Sequence, residues 1–218
     1  MPRQGDPKLL FVLLHGESAT PEQLFPLADA IKQVFPLAVL VLPHLNSHND
    51  ATSVMQAVPA LIQEVRKLQV EHGLSGAQTA LAGFSLGASL ALEASQMQPD
   101  LAGRVLAFSG LYVRQPGNVS SATMLHFFHG AQDAQIPAPL FDDTLAHLAS
   151  LESDVTVDVA TEIGHELHPA LIQQAMVRLQ TCIPLRNWDA ALSELEAQAK
   201  AQEQALPHSH GDAGPTLH

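Results

Sequence analysis

Short apolar runs alternate along this chain with stretches of helical periodicity, and that alternation leaves few folds open. Leu9–Leu14, Leu37–Leu42, Thr79–Ala82, Val105–Phe108 and Met124–Phe128 read as buried strands, because they lack the polar face of a half-exposed strand. Val155–Val159 alternates Val with Thr and Asp, which predicts a strand nearer the sheet edge. Between these runs, Pro21–Val34 carries Leu24, Leu27, Ala28 and Ile31 at helical spacing. Val54, Ala57, Val58, Leu61, Ile62, Val65 and Leu68 trace one face of a longer helix. Pro137–Leu151 reads as a helix, as does the stretch from Pro169, where Ile172, Ala175, Met176, Leu179 and Ile183 share a face. A strand that is apolar on both sides must be covered on both sides. The expectation is an α/β fold with a mostly parallel central sheet and helices on both faces.

The 218 residues suffice for one substantial core. We expect a single domain over 1–206, with its core at about 9–183 and an additional C-terminal helix at about 187–206. Trp188, Leu192, Leu195 and Ala199 give that helix an apolar stripe. The stripe is expected to dock on the body, with a homodimer as its alternative use. Residues 207–218 have no periodicity and are expected to form a disordered tail. The apolar run Leu9–Leu14 ends in His15-Gly16, too short for a signal peptide and without a small-residue cleavage site. With a lone cysteine, Cys182, no internal disulfide can form, so a cytoplasmic setting is expected. No apolar run approaches the ~18 residues of a membrane span. A net charge of -12 argues against nucleic acid and anionic membranes as partners.

In a parallel sheet, chemistry gathers at the carboxyl ends of the strands. The third strand runs into Gly83-Phe84-Ser85-Leu86-Gly87, a G-x-S-x-G pattern followed by the helix formers Ala88 to Ala94. A strand, a tight turn and a helix would expose the Ser85 hydroxyl at a helix N-terminus. A glycine-flanked serine in an ordinary turn is the bland alternative. The fifth strand ends in His129-Gly130-Ala131-Gln132-Asp133, and the sixth is followed by Gly164-His165. A nucleophile, an acid and a base thus gather at one end of the sheet. Ser85 needs a base to lose its proton, His165 can take it, and Asp133 can fix the imidazole tautomer. Backbone N–H groups of Leu86 and of Glu17, in the loop after the first strand, would hold a tetrahedral oxyanion. The Glu17 carboxylate would oppose such a charge and is expected to point outward.

Each assignment has a rival. Asp158 lies within a strand and reads as part of a solvated face, and Arg104 and Lys67 read as solvated charges. His168 precedes Pro169 at a helix start, and His15 follows a buried strand and suits a structural role. His44 and His48, and the tail pair His208 and His210, have ligand-like spacing without a folded frame, so no metal site is expected.

Taken together, His15-Gly16, Gly83 to Ala88, His129 to Asp133 and Gly164-His165 resemble the phospholipase/carboxylesterase family of α/β-hydrolases. The resemblance covers roughly Leu9 to Ile183 and extends to acyl-protein thioesterase-like enzymes and small bacterial serine esterases. It implies the α/β-hydrolase fold and hydrolysis of short- to medium-chain carboxylic esters, sometimes thioesters, without a cofactor. By motif match, Ser85, Asp133 and His165 carry over as the catalytic triad, and Glu17 and Leu86 as oxyanion-hole donors. Three departures stand out. Leu86 occupies a position where the family usually has Gln, and Ser18 one where a glycine is common. The segment His44–Ser53 is short and lacks the aromatic pair that walls the acyl pocket in relatives. An open site for small acyl groups is therefore expected. A thioesterase or lysophospholipase-type hydrolase is the close alternative, and a non-catalytic binding protein on the same scaffold the more distant one.

Overall fold

A computed structural model describes residues 7–45 and 50–182. The expected C-terminal helix, the tail with its histidines, and His48 lie outside the described residues.

The apolar runs form a parallel sheet of strands β1 (Leu9–Leu14), β2 (Ala38–Val41), β3 (Thr79–Phe84), β4 (Arg104–Phe108), β5 (Met124–Gly130) and β6 (Val155–Ala160). Their spatial order is β2-β1-β3-β4-β5-β6, and every pairing is parallel. The helices are α1 (Phe25–Val34), α2 (Ala51–His72), α3 (Leu86–Met97), α4 (Ala138–Ser150) and α5 (Pro169–Thr181). Alternate residues of β1 serve two separate cores. Leu10, Val12 and Leu14 pack with residues of α2, α3 and α4, while Phe11 and Leu13 pack with α1 and α5. That division explains why the central strands carry no polar face. As expected, β6 is an edge strand, and its valines are only partly covered.

Two boundaries differ from the sequence reading. The stretch from Pro21 opens as a 3-10 turn, Pro21–Leu24, and becomes α-helical only at Phe25. Pro26 has no N–H for the Glu22 carbonyl, so a continuous helix would lack that bond, whereas proline is tolerated in a first turn. The loop expected to run to Ser53 ends at Asp50. The Asp50 carboxylate accepts the amides of Thr52 and Ser53 at 3.0 Å and starts α2.

The strand order reverses direction between β1 and β3. The loop after β1 and the turn after β3 thus flank the switch point, where open parallel sheets form their ligand crevice.

Candidate active site

Ser85 occupies the turn from β3 into α3 with φ 52° and ψ −115°. This is sparsely populated backbone for a non-glycine residue and costs on the order of 1–3 kcal/mol. The flanking glycines let the turn close. A Cβ on Gly83 would strike the backbone of Gly87 and Ala88, and a Cβ on Gly87 would strike the carbonyls of Leu14 and His15. The Ser85 amide donates to the Phe108 carbonyl at 2.9 Å, and the Ser85 carbonyl accepts from Ala88 and Ser89 at 3.0 and 3.1 Å. Leu86 is the first residue of α3, and its side chain is buried in the core. Only its backbone can therefore serve the crevice.

The turn after β5 and the loop after β6 are joined. Ala131 donates to the Ala160 carbonyl at 2.8 Å and Gln132 to the Ile163 carbonyl at 2.9 Å. This stitching brings Asp133 and His165 together, with 2.8 Å between Asp133 Oδ2 and His165 Nδ1. Asp133 Oδ1 accepts the amides of Gln135 and Ile136, both at 2.9 Å. Burial alone would push the Asp133 carboxyl up. The Ile136 amide, the His165 ring and the Gln135 amide outweigh it and hold the carboxyl below its ordinary value. An ionised carboxylate only accepts, so His165 Nδ1 carries the proton of this bond, and in the neutral ring Nε2 is the nitrogen with the lone pair. The His165 ring packs 5.0 Å, centroid to centroid, from Phe84, the neighbour of Ser85.

Across the crevice, the loop after β1 is fixed by the Gly16 amide, which donates to Gln23 Oε1 at 2.8 Å. Glu17 is an exposed residue of this loop. Ser18 adopts φ 55°, the left-handed region that glycine enters freely. His15 is buried and structural: its Nδ1 lies 2.8 Å from the Gly16 carbonyl, and its Nε2 accepts the Leu45 amide at 2.9 Å. His168 caps α5 by accepting the Ala170 amide.

Two readings are corrected. Asp158 is not on a solvated face; Arg178 grips it through Nε at 2.8 Å and Nη2 at 2.9 Å. Arg104 is not a solvated charge either. Its guanidinium lies 3.2 Å from His126 Nε2 and donates to the Cys182 carbonyl at 2.8 Å. Half-buried charges at this face of the sheet need such partners. Lys67 is exposed as expected.

Sequence reasoning passed over a clamp on α3. Ser89 Oγ donates to the Leu111 carbonyl at 2.7 Å, and Glu93 accepts the Val113 amide at 2.8 Å. The chain leaving β4 is thereby tied to the helix that Ser85 begins. The signal was present, as Ser89 and Glu93 stand four apart within the otherwise small and apolar run Leu86–Ala94. On the flank near β1 and β2 lies a largely apolar hollow of about 340 Å³, lined by Val12, Val41, Pro43, Leu45, Leu61 and Leu90 among others. Among the described residues, no group of three or more His, Cys, Asp or Glu side chains could hold a metal ion. No described helix is long and apolar enough to cross a membrane.

The family model described as phospholipase/carboxylesterase matches residues 11–183. The chain belongs to the phospholipase/carboxylesterase family. Among its relatives is the esterase YpfH of Escherichia coli (strain K12), 32% identical over 209 residues, spanning 84% of this chain and 87% of that protein. Among solved structures, esterase PE8 superposes with a TM-score of 0.72 at 25% identity, covering 83% of this chain and 95% of PE8. A carboxylesterase from Mesorhizobium loti shares the fold, with a TM-score of 0.69 at 18% identity, covering 81% and 90%. Family membership and these likenesses establish the α/β-hydrolase fold that the motifs implied.

Proposed function

We propose that this family member cleaves short- to medium-chain carboxylic esters through a serine-bound acyl intermediate. Ester hydrolysis itself follows from the family and from its esterase relatives; the residue roles are our reading. Ser85 is the nucleophile. His165 Nε2 takes the hydroxyl proton as Ser85 Oγ attacks the ester carbonyl, then returns it to the leaving alcohol. Asp133 holds the imidazole in the required tautomer and stabilises the imidazolium. The backbone N–H groups of Leu86 and Glu17 hold the oxyanion, and the N-terminus of α3 adds a favourable dipole. Water then attacks the acyl-enzyme with His165 as base, releasing the acid and restoring Ser85. No cofactor enters these steps.

The observation that carries this reading is the Asp133–His165 hydrogen bond of 2.8 Å, made by an acid that its surroundings keep ionised. The strained elbow at Ser85 is the second support. We read the apolar hollow near β1 and β2 as the place for an acyl group of short to medium length.

Ser85→Ala, assayed beside the parent on p-nitrophenyl butyrate, should lose about 10³-fold or more in kcat. A fluorophosphonate probe should label the parent and leave the variant unmarked. Hydrolysis at parental rate by the variant refutes the serine mechanism, and a folded parent that resists labelling favours a binding protein on this scaffold. Matched oxygen and thioesters, compared by kcat/KM, separate an esterase from a thioesterase.

A further inference from the structure

His129 is buried at the end of β5, with 2% of its surface exposed. Its ring stacks on Phe141 of α4, with centroids 4.1 Å apart and planes 10° from parallel. Nε2 lies 2.9 Å from the Ile136 carbonyl oxygen. A carbonyl only accepts, so Nε2 carries the proton. Nδ1 is then a bare lone pair. It has no hydrogen-bond partner and points toward Asp133 Oδ2 from 3.9 Å. A buried polar atom without a partner calls for an explanation.

The neighbouring contacts supply one. Ile136 is gripped from two sides, its carbonyl by His129 and its amide by Asp133 Oδ1. The turn bearing the acid is thereby fixed against β5. Any donor at the position of Nδ1 would compete with His165 for Oδ2, whereas a lone pair cannot. We propose that His129 is a positioning residue for Asp133: its Nε2–H anchors the acid's turn through Ile136, and its lone pair leaves Oδ2 to His165.

The inference rests on the proposed catalytic roles of Asp133 and His165. The charged and titratable groups that act on His129 are Asp133 on its own turn, His165 from the loop after β6 and Asp142 from α4. Burial, chiefly, keeps the ring neutral, against the Ile136 carbonyl and Asp133, which favour protonation.

The full-length protein, assayed on p-nitrophenyl butyrate across pH, tests the inference. His129→Phe keeps the stack and removes the donor. Its kcat should fall about tenfold with KM unchanged, since a loosened acid misplaces the base. The acid limb of its kcat/KM profile should move to lower pH, because a mobile Asp133 stabilises the imidazolium less. His129→Gln, which retains an N–H within reach of Ile136, should recover part of kcat. In an Asp133→Asn background, His129→Phe should cost nothing further, read as the rate of fluorophosphonate labelling. An unchanged kcat overturns the inference, and so does an equal loss in both backgrounds with the pH profile unmoved. Should the Phe variant fail to fold, His129→Gln carries the test, and a kcat loss that persists undiminished in the Asp133→Asn background overturns it. Ser85→Ala separates the two readings: if it is inactive while His129→Phe behaves as the parent, only the present inference falls.

Discussion

His126 should make the stability of this protein depend on pH well above the carboxylate range. It lies on β5 with 0% of its surface exposed. The Arg104 guanidinium can only donate, so Nε2, 3.2 Å away, must accept, and Nδ1 donates to Thr156 Oγ1 at 2.6 Å. A second proton would sit on Nε2, facing a guanidinium in a buried site. Burial first, then the Arg104 and Arg178 charges, bring the ring from an ordinary 6.5 down to about 3, with Asp158 opposing them. The unfolded chain therefore binds a proton that the native state refuses. The contribution to stability is fully present above about pH 6.5 and is lost as pH falls toward about 3, at about 1.4 kcal/mol per pH unit. Between pH 7 and pH 5 the loss comes to about 2 kcal/mol. Urea unfolding at pH 7, 6 and 5 measures it, with His126→Gln beside the parent. The variant should be less stable at pH 7, because glutamine cannot keep both contacts, yet its decline to pH 5 should be about 2 kcal/mol smaller. His129, whose pKa burial also lowers, contributes equally to both proteins and cancels in the difference. Equal declines in parent and variant refute the neutral, single-tautomer assignment of His126.

Other substitutions test the site and its scaffold. Asp133→Asn should lower kcat by about 10³–10⁴-fold through the wrong histidine tautomer. Asp158→Asn should leave kcat and KM at parental values while costing about 1–3 kcal/mol in urea unfolding, because Arg178 loses its two-point partner. A rate loss confined to Asp158→Asn would reassign the acid. Gly87→Ala should fold less stably and lose about 10²-fold in kcat, since its Cβ meets the backbone carbonyls of Leu14 and His15 and displaces the elbow. Ser18→Gly should raise stability by about 0.5–1 kcal/mol, measured by thermal unfolding, by relieving a serine held at φ 55°.

The fold was legible because parallel strands covered on both faces leave a compositional trace that does not depend on partners far along the chain. The β6 edge was legible for the converse reason, as Thr156 and Asp158 interrupt its apolar run and the strand is only partly covered. Asp158 shows where that logic fails. Its alternation with Val157 and Val159 points to a solvated face, but α5 supplies Arg178 from 20 residues on. Arg104 was misread in the same way, with its Cys182 partner 78 positions away. The pairing of Asp133 with His165 spans 32 positions and was nonetheless foreseen. The difference is topological: both residues end neighbouring parallel strands, and the sheet order brings those ends together. His129 belongs to the same motif as Asp133, but its part in the turn is hidden in the sequence, because the contact to Ile136 depends on how seven residues fold back.

The two departures from the family pattern nearest the elbow have a common physical basis. Leu86 stands where the family resemblance implies Gln, yet its side chain is 1% exposed and packs in the core, so the crevice meets only its backbone. Ser18 stands where the resemblance implies a glycine, and it holds φ 55°, a conformation that glycine adopts without strain. In the proposed mechanism both loops act through peptide N–H groups, which a side-chain change leaves in place as long as the backbone path is kept. Side chains matter where the proposed acyl group would lie, along Pro43, His44 and Leu45 in the lining of the apolar hollow. Substitutions there should therefore change acyl preference with kcat on the smallest esters preserved, whereas Gly83 and Gly87, which set the backbone path itself, should tolerate no side chain without loss of rate on every ester.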